Sequence, residues 1–152
     1  MLIAAPGAPI DQVEQHMTSL VREHGCELLA VDYLQAIRVG RGDAMERTTE
    51  AGARVKACGA RLGVPVILAS QLSRPEPGNE YKEPQISRLR YSGDIEAMAE
   101  VIAMVWRTSA PPADTKLPED LAIRMAKIKW RRPGALISLK RDPSGLIAEV
   151  EQ

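Results

Sequence analysis

Apolar residues fall along this chain in three rhythms, and each predicts a different kind of element. Positions 28–31 and 64–71 are apolar without alternation, the pattern of parallel strands covered on both faces. A similar run at 100–106 predicts a third buried strand. Helical rhythms lie before the first of these runs and between the first two. Ile10, Val13, Met17, Leu20 and Val21 recur at helical spacing, with Asp11 and Glu14 spaced as a capping box and Gly25 placed to end the helix. Positions 44–62 predict the longest helix, its inner face formed by Met45, Thr48, Ala51 or Gly52, Val55, Cys58 or Gly59, and Leu62. A short helix follows Ser92. From Leu121 the rhythm changes to alternation, and strands are predicted at 121–129, 135–140 and 145–150 around a turn at 131–134. The apolar start at 1–5 reads as a strand closed by Pro6-Gly7-Ala8-Pro9, continuing a sheet begun earlier. The sum is one α/β domain over 1–152, with a mainly parallel sheet and antiparallel C-terminal strands.

Two of these strands deliver polar residues to their C-terminal ends, where open α/β sheets place ligands. Asp32 ends the first and Ser70-Gln71 the second. A carboxylate there can hold hydrated Mg2+, and a neighbouring amide can report on a phosphate or position a water. The same aspartate could equally cap the next turn.

Composition narrows the core and the class. With 3% aromatic residues and no Phe, the interior is built from Ala, Val, Ile, Leu and Met. The formal net charge is zero, yet the charges are segregated. Positions 1–35 hold one basic residue against five acids, whereas positions 121–141 hold seven basic residues and no acid. Such a tail can face phosphates or merely water. The loop at 36–43 carries Arg38 and Arg41 and reads as mobile; the long loop after Gln71 carries Arg74, Lys82, Arg88 and Arg90. Cys26 and Cys58 lack metal-ligand spacing and read as small buried hydrophobes in a reducing compartment, and His16 and His24 have no evident metal partner. Without a membrane-length apolar segment or signal-like start, the expected location is the cytoplasm.

With these pieces in place, the sequence resembles the C-terminal motor domain of DnaB-type replicative DNA helicases, hexameric rings of RecA-like P-loop NTPase fold. The resemblance rests on Val31-Asp-Tyr-Leu-Gln35, on Val64-Pro-Val-Ile-Leu-Ala-Ser-Gln-Leu-Ser-Arg74, on the run from Lys82 to Glu96 and on Ala126-Lys127 before a basic turn. It implies that Asp32 is the Walker B acid ordering Mg2+ and that Gln71 senses the γ-phosphate of ATP. It further implies that Arg90, Tyr91 and Gly93 contact single-stranded DNA, and that Lys127 and Lys129 stand where a basic pair reaches a neighbouring subunit's nucleotide.

Departures accompany the resemblance. No Gly-x-x-x-x-Gly-Lys-Ser/Thr loop occurs in these residues, and the segment bearing the family's catalytic Glu is missing. Hydrolysis of ATP by this chain alone is therefore not expected. Arg88 stands where the family has Asp, Tyr91 where it has Glu, Ala97-Met98 where it has Gln-Asp, and Lys129 at the arginine-finger position, which keeps the charge but loses the planar fork. The family's phosphate-loop strand would lie between the strands at 64–71 and 100–106. Its absence predicts either direct pairing of those two strands or occupation of the gap by another copy. Two functions follow: part of an ATP-dependent helicase motor, working with helicase subunits or a chain supplying the phosphate loop, or a non-catalytic DNA-binding or assembly module. The module would act through Arg38, Arg41, Arg88, Arg90, Arg131 and Arg132.

Overall fold

The computed structural model describes residues 1–89, 92–110, 120–142 and 146–149. These form two compact units, residues 1–72 with 89–98, and residues 73–88 with 99–152.

The first unit packs two helices on a short parallel sheet. Helix α1 (Ile10–Arg22) and helix α2 (Ala44–Leu62) cover one face of β1 (Leu29–Val31) and β2 (Val66–Leu68), which pair in parallel with Leu29 opposite Val66 and Val31 opposite Leu68. Helix α3 (Ser92–Met98) packs on α2. The core consists of Ile10, Met17, Leu29, Leu34, Val39, Ala51, Val55 and Cys58, aliphatic and sulfur-bearing side chains as the composition requires. Full burial of a side chain such as Val55 stabilises the fold by about 1.5–3 kcal/mol.

Helix α2 starts at a capping box: the Asp43 carboxylate accepts from the Met45 and Glu46 amides, and the Glu46 carboxylate accepts from the Asp43 amide. Gly63 ends the helix at φ 72°, a left-handed conformation that glycine adopts without strain. On α1 the expected box at Asp11 and Glu14 does not form. The helix begins at Ile10 after Pro9, so Asp11 already lies inside the first turn. Both carboxylates turn instead to Arg54 of α2, whose guanidinium bridges Asp11 at 2.6 Å and also pairs with Glu14. Those hydrogen bonds, from Glu14 first, hold the guanidinium still more firmly protonated than usual.

Three other expectations need correction. Positions 1–5 form no strand, and Met1 and Leu2 are exposed. The β1–β2 pair is covered on one face only: Leu28 is 54% exposed, Ile67 60%, and Ala30, opposite Ile67, is exposed as well. The loop after β1 is also tied down, because Arg38 bridges Pro9 and its side chain donates to the Gly7 carbonyl.

The second unit is an antiparallel meander of β3 (Val101–Arg107), β4 (Asp120–Ile128), β5 (Leu136–Arg141) and β6 (Ile147–Glu149). Strand β3 is not buried on both faces. Ile102 and Met104 point inward, while Val101 and Val105 are exposed, the alternation of a sheet with one covered face. Within its own unit, β2 pairs with β1, and β3 pairs with β4.

Residues 73–88 belong to this second unit and are closed at their base. The Ser73 amide donates to the Arg88 carbonyl at 2.8 Å, and Arg88 Nη2 donates back to the Ser73 carbonyl at 2.7 Å. Farther along, Arg124 of β4 holds Glu83 by two parallel bonds of 2.9 Å each. The Arg124 hydrogen bond keeps the Glu83 carboxyl below its ordinary range. A carboxylate whose pKa falls on folding stabilises the fold fully above its ordinary pKa and loses that contribution as pH drops through the lowered one. Wild-type protein should therefore lose urea resistance on acidification more than Glu83→Gln does, with both curves flat above the ordinary carboxylate range. Superimposable acid limbs would show that the pair contributes nothing.

Candidate functional site

The parallel pair brings two predicted residues to one edge. Past β1 and β2 the ladder continues for one residue: the Ala69 amide donates to the Val31 carbonyl at 3.0 Å, and the Leu34 amide donates to the Ala69 carbonyl at 2.9 Å. Asp32 and the Ser70-Gln71 pair thus emerge at the C-terminal edge of adjacent parallel strands, with Asp32 and Gln71 exposed. Such edges are where this class of sheet binds ligands.

A third side chain closes the arrangement. Gln35 lies in the single 3-10 turn Leu34–Ala36 that follows Asp32, and its amide Oε1 accepts from the Gln71 backbone at 3.1 Å. Its Nε2 donates to Ser70 Oγ at 3.0 Å. Leu34, 1% exposed, anchors that turn in the core. Gln35 carried no role in the sequence reading, although it ends the Val31-Asp-Tyr-Leu-Gln35 stretch. The available signal was chemical: an amide can donate and accept at once, whereas a carboxylate can only accept.

The other predicted residues are distributed as follows. Gly93 is the second residue of α3 in the same unit; Arg41 is exposed, and Arg38 is held at Gly7. Arg90 and Tyr91 lie outside the described residues. In the second unit Lys127 sits half-buried on β4 opposite Ile102, and Lys129 follows the strand with its ammonium 4.0 Å from Glu100. Arg88 is half-buried at the base of the 73–88 loop. Arg131 and Arg132 are exposed in the turn after β4.

The donor set can be tested against Mg2+ and ATP. Mg2+ commonly takes one or two carboxylates and completes its shell with water and substrate phosphates. Asp32 is suited to such a share, yet among the described residues no group of three or more His, Cys, Asp or Glu could hold a metal alone. The 152 residues also lack a phosphate-binding glycine loop with its lysine. These residues do not by themselves fit a nucleoside triphosphate, and no hydrolytic step is assigned to them.

Comparison with known proteins places this edge in context. The family profile described as "DnaB-like helicase C terminal domain" matches residues 1–141. The chain belongs to that family. The replicative DNA helicase DnaC of Bacillus subtilis (strain 168) is 31% identical over 125 residues, 80% of this chain and 28% of the relative. The chain thus spans less than a third of the curated relatives it matches. The solved ATPase domain of G40P superposes with a TM-score of 0.77 at 22% identity, covering 95% of this chain and 52% of that one. A DnaB-like replicative helicase, solved in a study of its interactions with primase, superposes at 0.74 with 21% identity over 90% of this chain and 34% of that one. The fold is therefore the RecA-like, P-loop NTPase type of α/β fold with parallel and antiparallel strands. Among the described residues no helix is long and apolar enough to cross a membrane.

Proposed function

We infer that this chain forms part of an ATP-dependent replicative DNA helicase motor, contributing Mg2+ and γ-phosphate sensing through Asp32 and Gln71 and binding to single-stranded DNA. The observation that carries this reading is the convergence of Asp32 and Gln71 at one parallel-strand edge in a chain of the DnaB-like family. The phosphate cradle would be supplied from outside these residues, by a segment carrying the Walker A loop. Positive charge for the transferring phosphate would come from Lys127 and Lys129 acting on a neighbouring subunit's nucleotide, since phosphoryl transfer needs charge at its oxygens. Arg90, Tyr91 and Gly93, with Arg88, Arg38 and Arg41, are the DNA-contacting set. The chain would work in the cytoplasm, in a homo-oligomer or with helicase subunits.

Titration of labelled oligothymidylate at two salt concentrations, with and without Mg-ATP, tests this reading. Binding should weaken steeply with salt, and Arg90→Ala should lower the logarithmic salt slope by about 0.7 for each phosphate that it no longer neutralises. An unchanged affinity and slope in Arg90→Ala would remove the DNA-binding assignment. The second reading, a non-catalytic DNA-binding or assembly module, is favoured by the drift at Arg88, Tyr91 and Lys129, which stand where the family has Asp, Glu and the arginine finger. It requires DNA binding that Mg-ATP does not alter.

A further inference from the structure

We propose that Gln35 is a positioning residue that sets the backbone of Gln71 and, through it, the segment leading to Arg90. The inference rests on the reading of Gln71 as a sensor and of Arg90 as a DNA-binding residue. Its geometry lies entirely within the first unit. Gln35 is held at its own end by Leu34, whose side chain is fully buried and whose amide donates to the Ala69 carbonyl. From that fixed base the Gln35 amide grips the end of the second strand twice, accepting from the Gln71 N–H and donating to the Ser70 hydroxyl. The next residue, Leu72, forms an antiparallel bridge with the buried Leu89, and Leu89 immediately precedes Arg90 in the chain.

The side chain of Gln71 is exposed, so its direction depends on what fixes its backbone. Strand β2 ends at Leu68 and the ladder at Ala69, which leaves the Gln71 N–H beyond the reach of sheet pairing. Gln35 supplies the missing partner. Because Gln35 follows Asp32 by three residues on one side and holds Gln71 on the other, a shift at either strand end is passed across the edge and on to the Leu72–Leu89 bridge. Gln35 itself touches neither phosphate nor DNA in this scheme.

Amide hydrogen exchange combined with oligothymidylate titration tests the proposal on the intact chain. In Gln35→Ala the Gln71 amide should exchange about fivefold faster, the factor expected on removing one hydrogen bond, while the Ala69 amide keeps its rate. Oligothymidylate affinity should fall by a similar factor with the salt slope unchanged, because every phosphate-neutralising side chain is still in place. Gln35→Glu should restore the Gln71 exchange rate, since a carboxylate accepts from the Gln71 N–H and from a reoriented Ser70 hydroxyl. An unchanged Gln71 rate in Gln35→Ala overturns the proposal. So does a faster Gln71 amide with unaltered affinity, provided Arg90→Ala weakens binding. If the wild-type chain binds no oligothymidylate, the DNA reading fails by itself, and the Gln71 amide alone decides the role of Gln35. If Gln35→Ala also speeds Ala69 exchange by unfolding, Gln35→Met carries the test: it keeps the length of the side chain but lacks the amide oxygen that accepts from the Gln71 N–H, and an unchanged Gln71 rate there overturns the proposal.

Discussion

Leu34→Ala should destabilise the first unit by about 2–5 kcal/mol, the range for truncating a fully buried leucine whose site cannot collapse. Leu34 is 1% exposed and belongs to the same core cluster as Ala51 and Val55 of α2. Its methyls face Gly52, where an added Cβ would lie 3.9 Å from each of them. Helix α2 and the parallel strands surround the position, so little backbone is free to fill the void. The consequence reaches the candidate site. Leu34 anchors the turn that carries Gln35, and its amide extends the ladder beyond β2 to Ala69. An unmoved urea midpoint would contradict this packing, as would a truncated variant in which the Gln71 amide keeps its wild-type exchange rate.

The second large effect concerns two glycines on one helix, which should respond to the same substitution in opposite directions. A Cβ at Gly59 would lie 2.5 Å from Val66 Cγ2 and 3.3 Å from the Val64 carbonyl oxygen. Val66 is β-branched and paired within β2, so it has little rotamer freedom with which to retreat. Gly59→Ala should cost about 1–3 kcal/mol through overpacking, even after alanine's advantage of about 1 kcal/mol in a helix interior. At Gly52 the nearest atom to an added Cβ is the terminal methyl of Met98, at 3.2 Å, on a flexible side chain. Gly52→Ala should be neutral or stabilising by up to about 1 kcal/mol. A Gly59→Ala urea midpoint at or above that of the wild type would show that α2 does not approach β2 through Gly59.

That contrast shows where sequence reasoning reached and where it stopped. The spacing of Thr48, Val55 and Cys58 identified the inner face of α2, and the small residues on it implied close approach to the sheet. Pattern alone could not say which glycine touches rigid backbone and which a mobile methionine. The capping box is a similar case. Asp11/Glu14 and Asp43/Glu46 have the same spacing, but only the second coincides with the observed helix start, because Pro9 moves the first helix start forward and Arg54 draws both acids away. Apolar runs were also ambiguous. Positions 28–31 and 101–106 both lack polar interruptions, yet each strand has one uncovered face, since hydrophobicity records what a strand tolerates and not what lies against it.

The sequence by itself determined the family, the helical and strand segments from Ile10 onward, the aliphatic nature of the core and the two strand-end residues Asp32 and Gln71. These are local or compositional properties, written in residue type and spacing. Tertiary structure decided that the two strand ends lie side by side, that Gln35 fastens one to the other, and that Arg88 and Glu83 are engaged with Ser73 and Arg124. Those pairings join residues as far as 41 positions apart, and such closures depend on how the chain folds its loops in three dimensions, which no short window of sequence contains.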